Sequence, residues 1–320
     1  MVKILLTGGA GFIGSHLSIK MAQNGHEIVV VDNLDPYYSV ALKNKNLELV
    51  KAEENATFIN SDILNYPELK SIVEDGIEYI YHEAAQPGVR ASIEDPMKPL
   101  NVNIVGTINI LQAAIETDVK KVINASSSSV YGKVESLPFS ETHPTRPLSP
   151  YGVSKLAAEH YCRVFTQIYG IPTVSIRYFT VYGPRMRPDL AIPIFTQKLL
   201  NNDPPEIFGD GEQTRDFTYV DDIITANMKL LNSSALDGEV VNIGSGNRIT
   251  INELLDTMKK LLDADIEPIY TDRVKGDALH TLADISKARE AIGYEPTTSI
   301  GDGINKFIDW YRSNPDFYIG

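Results

Sequence analysis

The sequence has few features of a secreted protein or a metalloprotein. Its 320 residues include one cysteine, Cys162, so no intramolecular disulfide can form. The six histidines are scattered, without a His-Glu-x-x-His or paired-cysteine motif. No apolar run reaches the roughly 20 residues that cross a bilayer, and the N-terminal residues do not form a signal-peptide pattern. These absences predict a cytoplasmic protein with no metal site and no membrane segment.

Positive charge is also scarce. The chain has 29 Lys and Arg against 42 Asp and Glu, a formal net charge of −13, and a pI of about 4.9. Nucleic acids and anionic membranes bind basic faces, so neither is expected as a partner. A small phosphate-bearing ligand is still compatible, because a helix N-terminus and a few arginines can hold it. The length suits two globular domains.

Short apolar runs alternate with helical patterns in the first half of the chain. The runs predict strands over Lys3–Thr7, Glu27–Val31, Thr57–Asn60, Tyr79–Tyr81, Lys121–Asn124 and Thr173–Arg177. Helices are predicted over Phe12–Asn24, Tyr66–Glu74, Pro99–Thr117 and Pro150–Tyr169. Parallel neighbouring strands need a crossover connection, so the alternation predicts an α/β fold with a doubly wound parallel sheet.

The second half has a different composition. From about Tyr178 onward, "YGPRMRPD" and "NNDPPEIFGDGEQTRD" are rich in arginine and turn-forming residues, typical of loops around a binding site. A helix over Val220–Leu231 and a strand over Val240–Asn242 are predicted to return the chain to the sheet. Further helices are predicted over Asn252–Leu262 and Ile304–Arg312. We expect a first domain over 1–178 plus about 218–243. A smaller, discontinuous α/β domain is expected over about 179–217 and 244–320.

A glycine-rich turn follows the first predicted strand. "ILLTGGAGFIG" places Gly8, Gly11 and Gly14 between this strand and a helix, where glycine allows a tight turn and close approach of the backbone to a diphosphate. Asp32 ends the next strand, where a carboxylate would bind the adenosine ribose hydroxyls and repel a 2′-phosphate. Asn33 follows it instead of an arginine. The context predicts a dinucleotide site that prefers NAD to NADP. Asp62 ends the third strand, where its carboxylate could either contact the adenine or cap the following helix.

A tyrosine and a lysine stand one helical turn apart in "SPYGVSK". Ser149 is a predicted N-cap and Pro150 the first helical residue, so Tyr151 and Lys155 share one face. A lysine cation near a phenol lowers the pKa of that phenol. The spacing alone is common by chance, with a core tyrosine and a solvated lysine as the alternative. Together with a dinucleotide site, it indicates an acid–base pair.

Segments spread over nearly the whole chain resemble the extended short-chain dehydrogenases/reductases, in particular the nucleotide-sugar 4-epimerases. They are "TGGAGFIGSHL", "VDNLD", "HEAAQPGVR", "NASSSSVYG", "SPYGVSKLAAE", "RYFTVYGPRMRPD", "GDGEQTRDFTYVDD" and "GDALHTLADISKA". The resemblance implies a Rossmann-like fold, a tightly bound NAD that is not consumed, and a UDP-sugar substrate. It also implies a homodimer, formed through a four-helix bundle of the segments Pro99–Thr117 and Pro150–Tyr169.

The resemblance assigns a role to each catalytic residue. Tyr151 would take the proton of the sugar 4-hydroxyl while hydride passes from C4 to NAD. The 4-keto sugar would then turn and receive the hydride on its other face. Lys155 would hold the nicotinamide ribose and lower the pKa of Tyr151, and Ser127 would bridge Tyr151 and O4.

The resemblance also implies the residues of both binding sites. The cofactor site would include Gly8, Gly11, Phe12, Ile13, Gly14, Asp32, Asn33, Asp62, Ile63, Ala84, Ala85, Gln86, Asn103, Ser126, Tyr151, Lys155 and Tyr178. The substrate site would include Val89, Arg90, Ser127, Ser128, Ser129, Tyr151, Phe179, Thr180, Arg185, Leu190, Ile207, Phe208, Arg215, Asp277 and Thr281. Arg215 resembles a diphosphate ligand and Asp277 a uridine-ribose contact. Val274 stands where most relatives that hold UDP-glucose have an arginine, a departure that bears on the second phosphate contact.

Several cues bear on the reaction and on the sugar. Related dehydratases have Asp-Glu at Ser128 and Ser129, and decarboxylases have a Glu at Ser129, so elimination is disfavoured here. A small residue at Thr281 resembles a gate that leaves room at C2. It predicts a pocket for UDP-N-acetylglucosamine and UDP-N-acetylgalactosamine as well as UDP-glucose and UDP-galactose. The alternative is a UDP-glucuronate 4-epimerase, because the stretch with Thr180 resembles these enzymes and Arg185 could meet a carboxylate.

A reading from another functional class is a non-catalytic NAD-binding sensor. Binding modules of this kind keep the glycine turn and lose the reactive residues. The intact pair of Tyr151 and Lys155 argues against it.

Overall fold

The computed structural model describes residues 1–273, 276 and 278–318. Its strands are β1 (Lys3–Thr7), β2 (Glu27–Asp32), β3 (Ala56–Asn60), β4 (Tyr79–His82), β5 (Lys121–Ser127), β6 (Thr173–Tyr178), β7 (Thr180–Tyr182), β8 (Glu206–Phe208), β9 (Thr214–Arg215), β10 (Phe217–Tyr219), β11 (Glu239–Ile243), β12 (Ile249–Thr250) and β13 (Ile269–Thr271). Val274, Lys275 and Asp277 lie outside the described residues. The uridine-ribose contact of Asp277 therefore stays a prediction.

Helices connect and flank these strands. They are α1 (Phe12–Gln23), α2 (Val40–Lys51), α3 (Tyr66–Glu74), α4 (Val89–Glu94), α5 (Met97–Pro99), α6 (Gly106–Ile115), α7 (Pro150–Tyr169), α8 (Ala191–Leu200), α9 (Val220–Leu231), α10 (Ile251–Leu262), α11 (Ser286–Ile292) and α12 (Ile300–Ser313). A π-helical turn, Leu100–Val105, joins α5 to α6, and a 3₁₀ turn, Ser128–Val130, follows β5.

A seven-stranded sheet forms the centre of the fold, in the order β11-β6-β5-β4-β1-β2-β3. Every adjacent pair in it is parallel. The prediction of a doubly wound parallel sheet is therefore confirmed, as is the return of the strand near Val240–Asn242. The chain builds outward from β1 in one direction and then crosses to β4. Such a switch point opens a crevice at the carboxyl ends of the strands.

The two faces of the sheet pack into separate apolar layers. Along β1, Ile4 and Leu6 contribute to one buried cluster and Leu5 to the other. Successive side chains of a strand point to opposite faces, so a strand covered by helices on both sides is apolar at every position. This explains the continuous apolar runs at residues 4–6 and 28–31.

Helix α2 was not predicted from the sequence. Its inward face carries Lys43 and Asn46 beside Leu42, Leu47 and Val50, which breaks the apolar pattern. Both polar side chains contact the segments that follow or end the first two strands. Asn46 Nδ2 donates to the Ala10 carbonyl in the glycine turn at 3.0 Å. The Lys43 ammonium lies 3.9 Å from the Asp32 carboxylate at the end of β2.

Helix α7 begins as predicted. The Ser149 hydroxyl accepts from the Gly152 N–H at 3.2 Å, and Pro150 occupies the first helical position. Three two-stranded sheets, β7 with β10, β8 with β13 and β9 with β12, lie in the second half of the chain. Among the described residues, no helix is both long and apolar enough to cross a bilayer.

Candidate active site

A cavity of about 950 Å³ brings together residues from both halves of the chain. Its size suits a cofactor and a small substrate. The predicted cofactor residues on its wall are Gly8, Gly11, Phe12, Ile13, Gly14, Asp32, Asn33, Asp62, Ile63, Ala84, Ala85, Gln86, Ser126, Tyr151, Lys155 and Tyr178. The predicted substrate residues on its wall are Val89, Arg90, Ser127, Ser128, Ser129, Tyr151, Phe179, Thr180, Leu190, Ile207, Phe208 and Arg215.

The glycine turn leaves no room for side chains. Gly8 has a φ of 73°, and a Cβ built on it would lie 2.6 Å from the Ala84 nitrogen. A Cβ on Gly14 would lie 2.3 Å from the Gly8 oxygen. Gly11 is the N-cap of α1 and has no side chain to accept from the first N–H groups of the helix. These groups and the helix dipole suit a diphosphate, so the turn fits a dinucleotide.

Asp32 is held in place at the end of β2. Its carboxylate accepts from the Ala10 N–H at 3.1 Å and from the Leu34 N–H at 2.8 Å. Beside it, Asn33 Nδ2 donates to Asp62 Oδ2 at 2.9 Å. A fixed carboxylate on the cavity wall fits the ribose hydroxyls of NAD.

Asn103 lies behind the wall of the cavity. It accepts from the Gln86 N–H at 2.7 Å and donates to the Gln86 carbonyl at 3.1 Å and to the Ser154 hydroxyl at 2.9 Å. Asn103 thus holds the loop after β4 in place, which the sequence pattern did not indicate. The predicted contact with the cofactor itself stays a prediction.

The reactive pair occupies the first turns of α7, facing the end of β5. Lys155 Nζ donates to the Ala125 carbonyl at 2.7 Å. Burial lowers the pKa of Lys155 to about 8, and the nearby carboxyl of Glu83 acts in the opposite direction. Burial raises the pKa of Tyr151, while a hydrogen bond with Ser127 and the charge of Arg187 act to lower it. We expected Lys155 to lower the pKa of Tyr151. In the structure, the groups that act to lower it are Ser127 and Arg187.

The serine turn after β5 shapes the wall next to Tyr151. The Ser127 hydroxyl accepts from the Ser129 N–H and donates to the Ser129 hydroxyl, both at 3.1 Å. Ser126 instead donates to Glu159, which pairs with Arg177. No carboxylic acid stands at the two positions where one would assist elimination.

The two arginines of "RMR" have different surroundings. Arg185 has a φ of 64°, is buried, and is absent from the cavity wall. Its Nη1 has no hydrogen-bond acceptor among the described residues. Arg187 lines the cavity, pairs with Asp189 through contacts of 3.0 and 3.2 Å, and lies over the ring of Tyr37. Arg187 therefore lines the cavity and Arg185 does not.

The predicted pocket gate also lies off the wall. Thr281 is buried, and its hydroxyl accepts from the Asp216 N–H at 3.2 Å. Arg215 does line the cavity, with Nη1 donating to two backbone carbonyls. Arg90 lies 4.2 Å from the centre of the Phe208 ring and joins the two halves of the wall.

Glu83 is a wall residue that the sequence analysis missed. It directly follows β4 and accepts from the Tyr178 hydroxyl at 2.8 Å. A carboxylate directly after an apolar strand, at the carboxyl edge of the sheet, was the available signal. Other charged or polar wall residues that were missed include Tyr37, Lys43, Arg187 and Asp189.

Comparison with known proteins identifies the fold and the chemistry. The model of the NAD dependent epimerase/dehydratase family matches residues 4–244. The chain belongs to this family. The predicted membership of the extended short-chain dehydrogenases/reductases is confirmed.

Solved structures of relatives match nearly the whole chain. The UDP-glucuronic acid 4-epimerase from Bacillus cereus, in complex with UDP-glucuronic acid and NAD, is 40% identical, with a TM-score of 0.94 and coverage of 98% of this chain and 99% of that one. The UDP-glucose 4-epimerase of Thermotoga maritima, with UDP-glucose, is 36% identical, with a TM-score of 0.91 and coverage of 98% and 100%.

A third relative handles an acetylated sugar. The UDP-N-acetylglucosamine 4-epimerase from Methanobrevibacter ruminantium M1 is 33% identical, with a TM-score of 0.90 and coverage of 98% and 99%. The predicted enzyme class, an NAD-dependent UDP-sugar 4-epimerase, is confirmed. This result favours the enzyme over the alternative of a non-catalytic NAD-binding sensor. These three relatives act on three different sugars, so family membership alone does not select the substrate.

Proposed function

We propose that this UDP-sugar 4-epimerase acts on UDP-glucuronate, and the position of Arg187 carries the proposal. Its guanidinium lines the cavity and is close enough to Tyr151 for its charge to lower the pKa of the phenol. Tyr151 is where the sugar C4 hydroxyl would bind, and the carboxylate of a uronic acid is attached to the neighbouring carbon, C5. A guanidinium binds a carboxylate through paired hydrogen bonds.

Asp189 neutralises Arg187 in the structure. The pair is partly exposed, with Asp189 also 3.4 Å from the Tyr37 hydroxyl. An exposed ion pair contributes about 0–1 kcal/mol, so a substrate carboxylate can displace Asp189 at small cost. A neutral sugar would leave Arg187 paired with Asp189. The arrangement supports a substrate that brings its own negative charge.

The expectation of an N-acetylated sugar rested on Thr281. Its side chain lies behind the cavity wall, and its hydroxyl accepts from the Asp216 N–H. No contact of Thr281 with the cavity therefore supports a role in setting the width of the pocket near the sugar C2. UDP-N-acetylglucosamine stays an arm of the experiment below.

Each reactive residue has a proposed task. NAD, held at the glycine turn and by Asp32, would supply the acceptor and donor of hydride at the sugar C4. Tyr151 accepts the 4-hydroxyl proton and gives it back, so protons and hydride balance over the cycle. Ser127 positions the hydroxyl and the phenol. Lys155 holds the nicotinamide ribose with a proton that burial has made easier to lose. Arg215 binds the diphosphate.

The experiment is a direct assay of three substrates. The NAD-loaded protein is incubated separately with UDP-glucuronate, UDP-glucose and UDP-N-acetylglucosamine, and the C4 epimers are resolved by chromatography. We expect the highest kcat/KM for UDP-glucuronate. A higher value for either neutral sugar would overturn the choice of substrate. Conversion of none of them would contradict the class.

We also propose a homodimer formed through α7 and the helical segment at 99–117. Val153, Tyr161, Val164 and Ile168 are 38–69% exposed and recur at spacings that place them on one face of α7. Ile168→Glu is expected to shift the mass in light scattering toward the monomer. Ile269→Glu, at an equally apolar exposed position on β13, is the control. The two-domain division and the cytoplasmic location are likewise proposals.

A further inference from the structure

Glu83 is a carboxylic acid on the wall of the active-site cavity, with a defined set of partners. Its Oε1 accepts from the Tyr178 hydroxyl at 2.8 Å. That hydroxyl accepts in turn from Asn227 Nδ2 at 2.8 Å, and the same amide donates to the Ile223 carbonyl at 2.9 Å. The chain of hydrogen bonds runs from α9 through β6 to the end of β4, so the carboxyl is fixed by elements far apart in sequence.

The titratable groups that interact with Glu83 lie on three elements. Lys155 and Tyr151 face it from α7, Tyr178 from β6, and Tyr81 from its own strand. Lys155 provides the positive charge among these groups, and its Nζ is engaged by the Ala125 carbonyl. Glu83 therefore acts on Lys155 through the electric field and not through a direct ion pair.

A purely structural role does not require an acid at this position. A glutamine would accept the same hydrogen bond from Tyr178 without placing a charge in a partly buried site, where charge is costly. What an acid adds is a charge that appears and disappears with pH, close to the two groups proposed to perform the proton transfer.

We propose that Glu83 is a positioning residue that controls the charge balance of Tyr151 and Lys155. When its carboxyl is charged, it favours the ammonium of Lys155 and disfavours the phenolate of Tyr151. When the carboxyl is neutral, both effects disappear. The inference rests on the roles proposed above for Tyr151 and Lys155.

The proton affinity of Glu83 supports a function near neutrality. Burial raises its pKa from 4.5 to about 7, against the Tyr178 hydrogen bond and the Lys155 charge, which lower it. Below about pH 7 the carboxyl is neutral, and above it the carboxyl is charged. Above about pH 7 the charge on Glu83 opposes the loss of the Tyr151 proton. The acid limb of the pH profile is thereby displaced upward.

The first test is the pH dependence of kcat/KM for the Glu83→Gln variant, loaded with NAD and assayed with UDP-glucuronate, UDP-glucose and UDP-N-acetylglucosamine. Glutamine resembles the neutral carboxyl, so we expect the acid limb to move to lower pH. Glu141→Gln is the matched control, since Glu141 is another acid whose pKa burial raises, bonded to the Asn242 N–H and off the cavity wall. Its profile should match that of the wild type. Superimposable profiles for Glu83→Gln and the wild type would overturn the proposal.

The second test is thermal unfolding across pH, which does not depend on turnover. The pKa of Glu83 is higher in the folded protein than in the unfolded chain. The folded protein therefore loses stability as pH rises from about 4.5 to about 7. Glutamine does not titrate, so the melting temperature of Glu83→Gln minus that of the wild type should grow over this interval and then level off. A constant difference would contradict the buried titration.

Tyr151→Phe separates this proposal from the function that it rests on. If Tyr151→Phe keeps full turnover, the roles assigned to the pair fail. If it abolishes turnover while Glu83→Gln leaves the pH profile unchanged, only the inference on Glu83 fails.

Discussion

Gly152 of α7 lies against Ser129 of the serine turn, where a Cβ atom on Gly152 would come within 2.6 Å of the Ser129 carbonyl oxygen. This close approach sets the first turn of α7, with Tyr151, beside the hydroxyl of Ser127. A glycine is required because any side chain would separate the two elements.

We predict that Gly152→Ala lowers kcat by about 10- to 100-fold, because displacement of reacting groups by about 1 Å costs that much. The loss should be measured in the epimerisation assay with melting temperatures alongside. Gly301→Ala is the control, since Gly301 is also helical and a Cβ there meets nothing within 4 Å. Equal activity in the two variants would contradict the close contact.

Removing the phenol should remove the chemistry and leave the cofactor site intact. Tyr151→Phe is expected to lower kcat by about 100-fold or more, since a general base contributes at least that much. NAD binding, followed by calorimetry, should change little. Tyr161→Phe, on the exposed side of the same helix, is the control. If both variants retain wild-type turnover, another residue accepts the proton.

The two arginines of "RMR" provide a matched pair for substrate choice. Arg187→Met should lower the ratio of kcat/KM for UDP-glucuronate to that for UDP-glucose by about 10- to 100-fold, the effect of losing a charge-assisted contact. The loss of its charge beside Tyr151 affects both substrates alike and cancels in this ratio. Arg185→Met should leave the ratio of the two substrates unchanged, because Arg185 lies off the wall. The opposite pattern would restore Arg185 as the carboxylate contact.

Asp32 should determine the affinity for NAD. Asp32→Ala removes the carboxylate at the end of β2, so we expect the Kd of NAD to rise by about 10- to 100-fold, in proportion to charged hydrogen bonds lost to the ribose. Discrimination against NADP should fall as well, because the charge that repels a 2′-phosphate is gone. Equilibrium dialysis with both cofactors measures each effect. Unchanged affinities would place the ribose elsewhere.

Much of the scaffold could be predicted from neighbouring residues. The strands of the central sheet and helix α7 were placed to within a few residues, because apolar runs, Ser149 as a cap and Pro150 are local signals. Helix α2 was missed because Lys43 and Asn46 point inward, where they contact Asp32 and Ala10, and so interrupt its apolar face. The π-helical turn at Leu100–Val105 interrupts a segment that was predicted as one helix, and no local pattern announced it.

The sequence by itself determined the glycine turn, the carboxylate at Asp32 and the pair of Tyr151 and Lys155, because each depends on spacing within one strand or helix. Tertiary structure alone decided which arginine reaches the cavity, because the surroundings of Arg187 include Tyr37, which is distant in the sequence. It also decided the environment of Glu83, whose partner Tyr178 is 95 residues away. The proton affinity of a buried group depends on such distant contacts, which a local pattern does not contain.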